Sequence, residues 1–206
     1  MDTIVVKKGE ATRTRIIEVA YQLFLEQGYH GTSMRQIVDR AAITMGGVYN
    51  HFAGKEAIWE AVFLAKHPYH EILPVLQTAE GDTVAEFVQN AASRLVAELG
   101  RRDDLLNLMF IELVEFNGKH VHELFEAILP EILRMGQVFA EKRGLLRSLP
   151  FPLLARSFAG LFFSYYITEL LLPKEVRLLM GDDALHGFVN IYLYGILDES
   201  TERTYA

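Results

Sequence analysis

The chain has no cysteine among its 206 residues. This excludes disulfides, thiolate metal sites and a cysteine nucleophile, and it makes the cytoplasm the expected compartment. A long apolar run is also missing. The most apolar stretch, Phe151 to Leu172, is interrupted by Arg156 and Glu169, so its longest uncharged run falls short of the roughly 18 residues a membrane-spanning helix needs. The opening residues MDTIVVKKGE lack the apolar core of a secretion signal. A soluble protein with no membrane partner is expected. Enzyme signatures are lacking as well. His122-Glu123 begins like a zinc-protease motif, but Glu126 stands where the second histidine belongs. Gly54-Lys55 resembles the end of a phosphate-binding loop, yet Glu56 follows in place of Ser or Thr. No Gly-x-Ser-x-Gly elbow occurs. The chain is read as a non-enzyme without a cofactor.

What is present is apolar bulk and an uneven charge. Half of the residues are hydrophobic, enough for a substantial core and too many for a disordered chain. The net charge is −7, but residues 1–55 carry +2 and residues 56–206 carry −9. Such asymmetry marks a chain whose two parts meet different partners. The composition shift places a boundary between residues 1–54 and 55–206.

Period-two alternation is absent and helical spacing dominates. Ile16, Ala20, Leu23 and Phe24 form one face of a first helix that Gly28 can end in a left-handed conformation. Met34, Ile37, Val38 and Ala41 repeat the pattern after Thr32 or Ser33 as N-cap. Ala42 and Ile43 make a turn, and Thr44 can cap a third helix running to Phe52. A fourth helix starts near Lys55, with Pro68 and Pro74 kinking or ending it. Thr83 and Glu86 have capping-box spacing for a fifth, and Asp103 or Asp104 can cap a sixth ending at Phe116. A seventh is expected from Lys119 to Arg143, bent at Pro130 and stopped by Gly144. The eighth spans Phe151 to Leu172, and the ninth runs from Asp182 to Leu197. The predicted fold is all-α with about nine helices.

Residues 28 to 56 carry the most information. Two short helices joined by a tight turn are what inserting a helix into the major groove requires, the second helix entering and the first crossing the backbone. Val48 and Phe52 would face inward. Met45, Gly47, Asn50 and His51 would point outward or sideways, beside Ser33 and Thr44 at the helix starts. Tyr49 can donate to a phosphate and Lys55 can pair with another. His51 is the only basic side chain between Ala41 and Gly54, so arginine–guanine pairing, the commonest specific contact, falls to Arg35. Lys7 and Lys8 are read as a disordered tail.

The run Thr12-Arg13, Ile16-Ile17, Ala20, Leu23-Phe24, Gly28-Tyr29, Thr32-Ser33-Met34-Arg35, Ile37, Ala41, Gly46, Val48-Tyr49, His51-Phe52 and Lys55-Glu56 resembles the TetR family of transcriptional regulators over about a quarter of the chain. The resemblance implies an all-helical homodimer. Its three N-terminal helices would bind DNA, and a divergent helical domain would bind a small inducer and dimerise. The chain departs from the family pattern at Ala42 in place of glycine, Met45 in place of a polar or basic residue, and Gly47 in place of threonine. Each helical glycine costs roughly 1 kcal/mol relative to alanine.

In the second part, large apolar residues with a few polar neighbours suggest an inter-helix pocket. The candidate lining is Trp59, Phe63, Met109, Phe110, Glu112, Leu113, Phe116, Phe162, Tyr165 and Tyr166. Glu115 is a second candidate for an orienting carboxylate. The last two long helices carry more apolar surface than one buried stripe needs, so Phe158, Leu161, Phe188, Tyr192 and Ile196 are assigned to a two-fold interface. His67, His70 and Glu71, and His120 with His122, have spacings that metal ligands use, but the histidines are read as solvated and no metal site is expected. The expected function is a ligand-responsive regulator acting as a repressor. It would bind a palindromic double-stranded DNA operator as a dimer and be released by a small apolar or aromatic inducer. The alternative is a helical small-molecule-binding protein with little sequence-specific DNA reading.

Overall fold

The stripe Ile16, Ala20, Leu23 and Phe24 is buried on a long first helix, α1 (Asp2–Gly31). The computed structural model describes residues 2–100, 102, 104–140, 147, 149–181 and 183–196. Lys7 and Lys8 lie inside α1, not in a tail. Gly9 does not break the helix, as its cost of about 1 kcal/mol is small beside a run of compatible neighbours. Gly28 has φ 75° and ψ 172° and interrupts the regular helix near its end.

Next come α2 (Met34–Ala41) and α3 (Met45–Tyr49). Ser33 caps α2 in a reciprocal box with Gln36, and Thr44 caps α3 by accepting from the Gly47 N–H. The expected third helix is shorter than its spacing suggested, but the Phe52 N–H still donates to the Val48 carbonyl at 3.0 Å. Ala42 adopts the left-handed region, φ 51° and ψ 48°.

Further along lie α4 (Lys55–Lys66), α5 (Tyr69–Gln77), α6 (Val84–Leu99), α7 (Leu105–Phe116), α8 (Lys119–Ala140), α9 (Phe151–Leu171), α10 (Lys174–Leu179) and α11 (Ala184–Ile196). The capping box of Thr83 and Glu86 is present at α6. Asp104 sits at the N-cap position of α7, but its side chain makes no cap hydrogen bond. It accepts instead from the Tyr21 hydroxyl. Asp103 and the expected stop at Gly144 lie outside the described residues. Pro68 separates α4 from α5, while Pro74 sits within α5. The short α10 was not legible in the sequence.

The chain divides into two compact units. The first is Met1–Pro68 with Asp103–Ile128. Its core holds Ile16, Phe24, Ile37, Val48, Ile58, Trp59, Val62, Phe63 and Leu108. The second is Tyr69–Arg102 with Leu129–Ala206. Val84, Phe87, Val88, Phe139, Leu154, Val189 and Leu193 form its core.

Candidate nucleic-acid interface and effector site

The helix-turn-helix is built from α2 and α3 on the scaffold of α1. Val48 is fully buried and Phe52 nearly so, with the Arg13 guanidinium 5.1 Å from the Phe52 ring centre. With these two anchored inward, Thr44, Met45, Gly46, Tyr49 and Asn50 are exposed, while Gly47 and His51 are half-buried. The glycine at 47 has a local reason. A Cβ there would meet the Thr44 hydroxyl oxygen at 3.2 Å, crowding the cap it serves, whereas Gly46 faces open space.

Arg35 is 87% exposed, with only a long 3.9 Å approach to Asp39 in the next turn. Arg40 is different. Its guanidinium clasps Glu26 in two hydrogen bonds of 2.6 and 2.9 Å, which holds the Glu26 carboxyl below its ordinary range. The Ser33 hydroxyl donates to Gln36 at 2.8 Å and accepts from the Gln36 backbone at 3.3 Å.

Lys55 occupies an internal position. Its ammonium donates at 2.8 Å to the carbonyl oxygens of Tyr29 and of Thr32, groups that the end of α1 leaves without helical partners. Burial pulls the Lys55 pKa down, and the charge of Glu115 works the other way. Burial likewise pushes the Tyr29 hydroxyl up, with Glu56 and Glu115 adding to the effect.

Of the proposed ligand residues, Trp59, Phe63 and Glu112 are fully buried in the first unit. Phe116 is half-buried and stacks on Trp59 with 5.7 Å between centroids and 8° between planes. Glu112 accepts from Trp59 Nε1 at 2.8 Å, from the His120 backbone at 2.8 Å, and meets His120 Nδ1 at 2.9 Å. Met109 is half-buried, while Phe110 and Leu113 are nearly half exposed, at 48% and 47%. The helical period explains the split, since Leu105, Leu108 and Glu112 share the buried face of α7. Phe162, Tyr165 and Tyr166 belong to the second unit. There the Tyr166 hydroxyl donates to the Arg102 carbonyl at 2.8 Å. Tyr165 borders a cleft of about 320 Å³ whose other walls include Glu169, Lys174, Arg177 and Asp183. Glu115 pairs with His30 at 2.5 Å.

His120 was expected to be solvated and is 1% exposed. Its carboxylate partner lies eight residues back and its neighbours are aromatic, a placement that residue spacing does not reveal. His67 is half-buried and packs against Phe63. His70 is exposed. Among the described residues no group of three or more His, Asp or Glu is arranged to hold a metal ion.

Of the interface residues, Phe158, Leu161 and Phe188 are half-buried. Tyr192 is buried, its hydroxyl donating to the Leu154 carbonyl at 3.0 Å. The Ile196 side chain lies outside the described residues. Sequence reasoning missed Ile191 and Tyr194 on α11, 74% and 69% exposed, and Leu171 on α9, 70% exposed. The signal was available: four consecutive apolar residues, Ile191 to Tyr194, cannot share one face of a helix.

Among the described residues the chain is all-helical, with an N-terminal helix-turn-helix whose second helix exposes Met45 and Tyr49. The family model of bacterial regulatory proteins, tetR family, matches residues 16–62. The uncharacterized HTH-type transcriptional regulator YvkB of Bacillus subtilis (strain 168) is 25% identical over 187 residues, which cover 90% of this chain and 97% of YvkB. The solved structure of NalD, the secondary repressor of the MexAB-OprM multidrug efflux pump in Pseudomonas aeruginosa, is similar with a TM-score of 0.64 at 22% identity. The match covers 93% of this chain and 99% of that one. GusR of Salmonella enterica is similar with a TM-score of 0.65 at 20% identity, over 91% and 95% of the two chains. Residues 16–62 thus match the helix-turn-helix of the tetR family of regulatory proteins, and the chain shares the all-helical fold of these solved structures over most of its length. No helix among the described residues is long and apolar enough to cross a membrane.

Proposed function

We propose that this regulator is a repressor that binds a palindromic operator as a homodimer and leaves it when a small, mostly apolar effector binds. Residues 1–54 are assigned to DNA reading and 55–206 to effector binding and dimerisation. One observation carries the DNA assignment: Val48 and Phe52 are buried while Thr44, Met45, Tyr49 and Asn50 are exposed on the same short helix. Arg35 supplies the base-reading cation, and Tyr49 a phosphate contact. Met45 is suited to a thymine methyl. Lys55 acts as a tie inside the module, with at most one hydrogen left for a phosphate.

The apolar character of the effector is supported by the aromatic surroundings of Glu112, and NalD, as its name records, represses a multidrug efflux pump. The effector must bind the DNA-competent and DNA-incompetent arrangements with different affinity, since only differential binding shifts an equilibrium. The reading head is joined to α7 through His30 with Glu115 and through Tyr29 with Phe116, whose ring centres are 4.8 Å apart. A movement of α7 would therefore reach the end of α1 directly.

The experiment is a gel shift with the DNA upstream of the chain's own gene. Wild type should bind with a steep salt dependence, each neutralised phosphate adding about −0.9 to the log–log slope. Arg35→Ala should bind more weakly and lose sequence preference. Unchanged binding in that variant, or no binding by wild type, refutes the DNA assignment and favours the small-molecule-binding alternative.

A further inference from the structure

The second unit holds a cleft of about 320 Å³ between the end of α9, α10 and the start of α11. Charges of both signs line it: Glu169 and Asp183, with Lys174 and Arg177. Four charged side chains in one cleft would ordinarily pair off. Here they do so once, and loosely. Arg177 Nη1 donates to Glu169 Oε2 at 3.5 Å, the outer limit of a hydrogen bond. Arg177 Nε is shut away from water and has no hydrogen-bond partner among the described residues. Lys174 is exposed and has no ion-pair partner among them. Asp183 uses one oxygen to accept from the His186 backbone N–H at 3.1 Å, which leaves its charge unmatched. Buried donors in folded proteins find partners in the great majority of cases, so the Arg177 guanidinium is the least satisfied group of the cleft.

The mixed lining selects among ligands. Glu169 and Asp183 repel a simple anion drawn to Lys174 and Arg177, and the two cations repel a simple cation drawn to the carboxylates. A molecule with one charge of each sign meets attraction at both ends. Between the charges, Leu178 and Leu185 give the cleft apolar lining for a short carbon chain. The Tyr165 hydroxyl adds a neutral polar group. Burial raises its pKa, and the charges of Glu169 and Asp183 add to the effect, so it keeps its hydrogen at neutral pH. Its ring is braced edge-on against Phe188 at 5.5 Å. A volume of about 320 Å³ lies at the lower end of small-molecule sites, roughly 300–1,000 Å³, and this limits the ligand to a small metabolite.

We infer that this cleft binds a small zwitterion, a molecule with a carboxylate at one end and an ammonium at the other. Arg177 takes the carboxylate. Turning its guanidinium off Glu169 presents Nε and a terminal N–H side by side, the fork through which arginine grips a carboxylate in two parallel hydrogen bonds. Lys174 adds its charge. Glu169, released from its long contact, takes the ammonium together with Asp183. The ligand thereby replaces one 3.5 Å contact with shorter charge-assisted bonds on both sides, and it gives Arg177 Nε a partner. Such a ligand differs in kind from the apolar effector proposed above. The cleft is therefore a second binding site, confined to the second unit.

The test uses the full-length protein, calorimetric titration at neutral pH, and three probes of one chain length. These are 6-aminohexanoate with both charges, hexanoate with the negative one and hexylammonium with the positive one. 6-Aminohexanoate is expected to bind at millimolar concentration or below, and each singly charged probe about tenfold more weakly, the worth of a hydrogen bond to a charged group. Arg177→Gln should lower the affinity for 6-aminohexanoate about tenfold. Glu169→Gln should weaken 6-aminohexanoate yet strengthen hexanoate, because it removes a repulsion; a merely structural role would move both probes the same way. If either singly charged probe binds wild type as tightly as 6-aminohexanoate, or no probe binds at millimolar concentration, the inference is overturned. Binding of 6-aminohexanoate that survives both substitutions unchanged overturns it as well. Should a variant fail to fold, wild type with 15N-labelled arginine decides the matter: the Arg177 Nε resonance must move with 6-aminohexanoate and stay in place with hexylammonium.

Discussion

The Lys55 ammonium donates to the Tyr29 carbonyl oxygen at 2.8 Å and also lies 4.1 Å from the centre of the Tyr29 ring. One residue thus ties the start of α4 to the end of α1 through its charge, its hydrogens and its position over a ring. Cations are favoured at helix C-termini because the last carbonyls carry partial negative charge. Lys55→Ala should therefore act first on stability, lowering it by about 1.5–3 kcal/mol, the usual worth of hydrogen bonds involving a charged group. Its effect on the salt slope of DNA binding should be smaller than that of Arg35→Ala. Urea unfolding and anisotropy titrations at several salt concentrations separate the two effects.

Ala42 links the two helices of the reading head in a left-handed conformation, φ 51°, that crowds its Cβ against the backbone. Ala42→Gly should relieve this, offset in part by the freer unfolded chain. The expected result is a net gain of roughly 0.5–1 kcal/mol, read from denaturant midpoints, with DNA affinity kept. A loss of stability would show that the alanine methyl makes a packing contribution larger than its strain.

Asp104 gives a pH dependence whose sign follows from its setting. Burial raises its pKa above the ordinary 3.8, with a backbone hydrogen bond acting weakly in the other direction. A carboxyl raised in the folded state contributes fully below pH 3.8 and loses that contribution as pH rises through its folded value. At neutral pH the buried charge is a cost. Asp104→Asn keeps an acceptor for the Tyr21 hydroxyl and removes the charge. Thermal unfolding should find the variant more stable than wild type at pH 7, with the difference closing below about pH 4.

On α11, adjacent residues should behave oppositely. Ile191 is 74% exposed, so Ile191→Asp should leave the monomer fold and helical content unchanged while producing monomers in sedimentation at micromolar concentration. Tyr192 is buried and donates to Leu154. Tyr192→Phe should cost about 1 kcal/mol of stability and leave association intact. Monomers from the second variant alone would move the interface to another face of the helix.

Much of the architecture was legible locally. The stripes on α1 and α2, the cap at Ser33, the box of Thr83 with Glu86, and the break at Gly28 all rest on contacts within one or two turns. Sequence spacing states such contacts directly, because helical geometry is regular. The outward set on α3 was legible for the same reason, because Val48 and Phe52, one turn apart, fix its inward face. The six-residue α10 was not legible, being too short to show a period and opened by Pro173 with no side-chain cap.

Residue spacing alone therefore places the helices, the reading head and the apolar bulk of the rest. Packing between distant helices sets the rest: Lys55 serves the carbonyls of Tyr29 and Thr32, 26 and 23 residues away. The same holds for the meeting of Glu112 with Trp59 across 53 residues, for the burial of His120, and for the split of α7 between Glu112 on its buried face and Phe110 in solvent. Polar side chains have partners set by distance in space, and burial turns those partners from optional into obligatory. A helical period can say that one face is buried, but which polar groups meet there depends on packing against helices far along the chain.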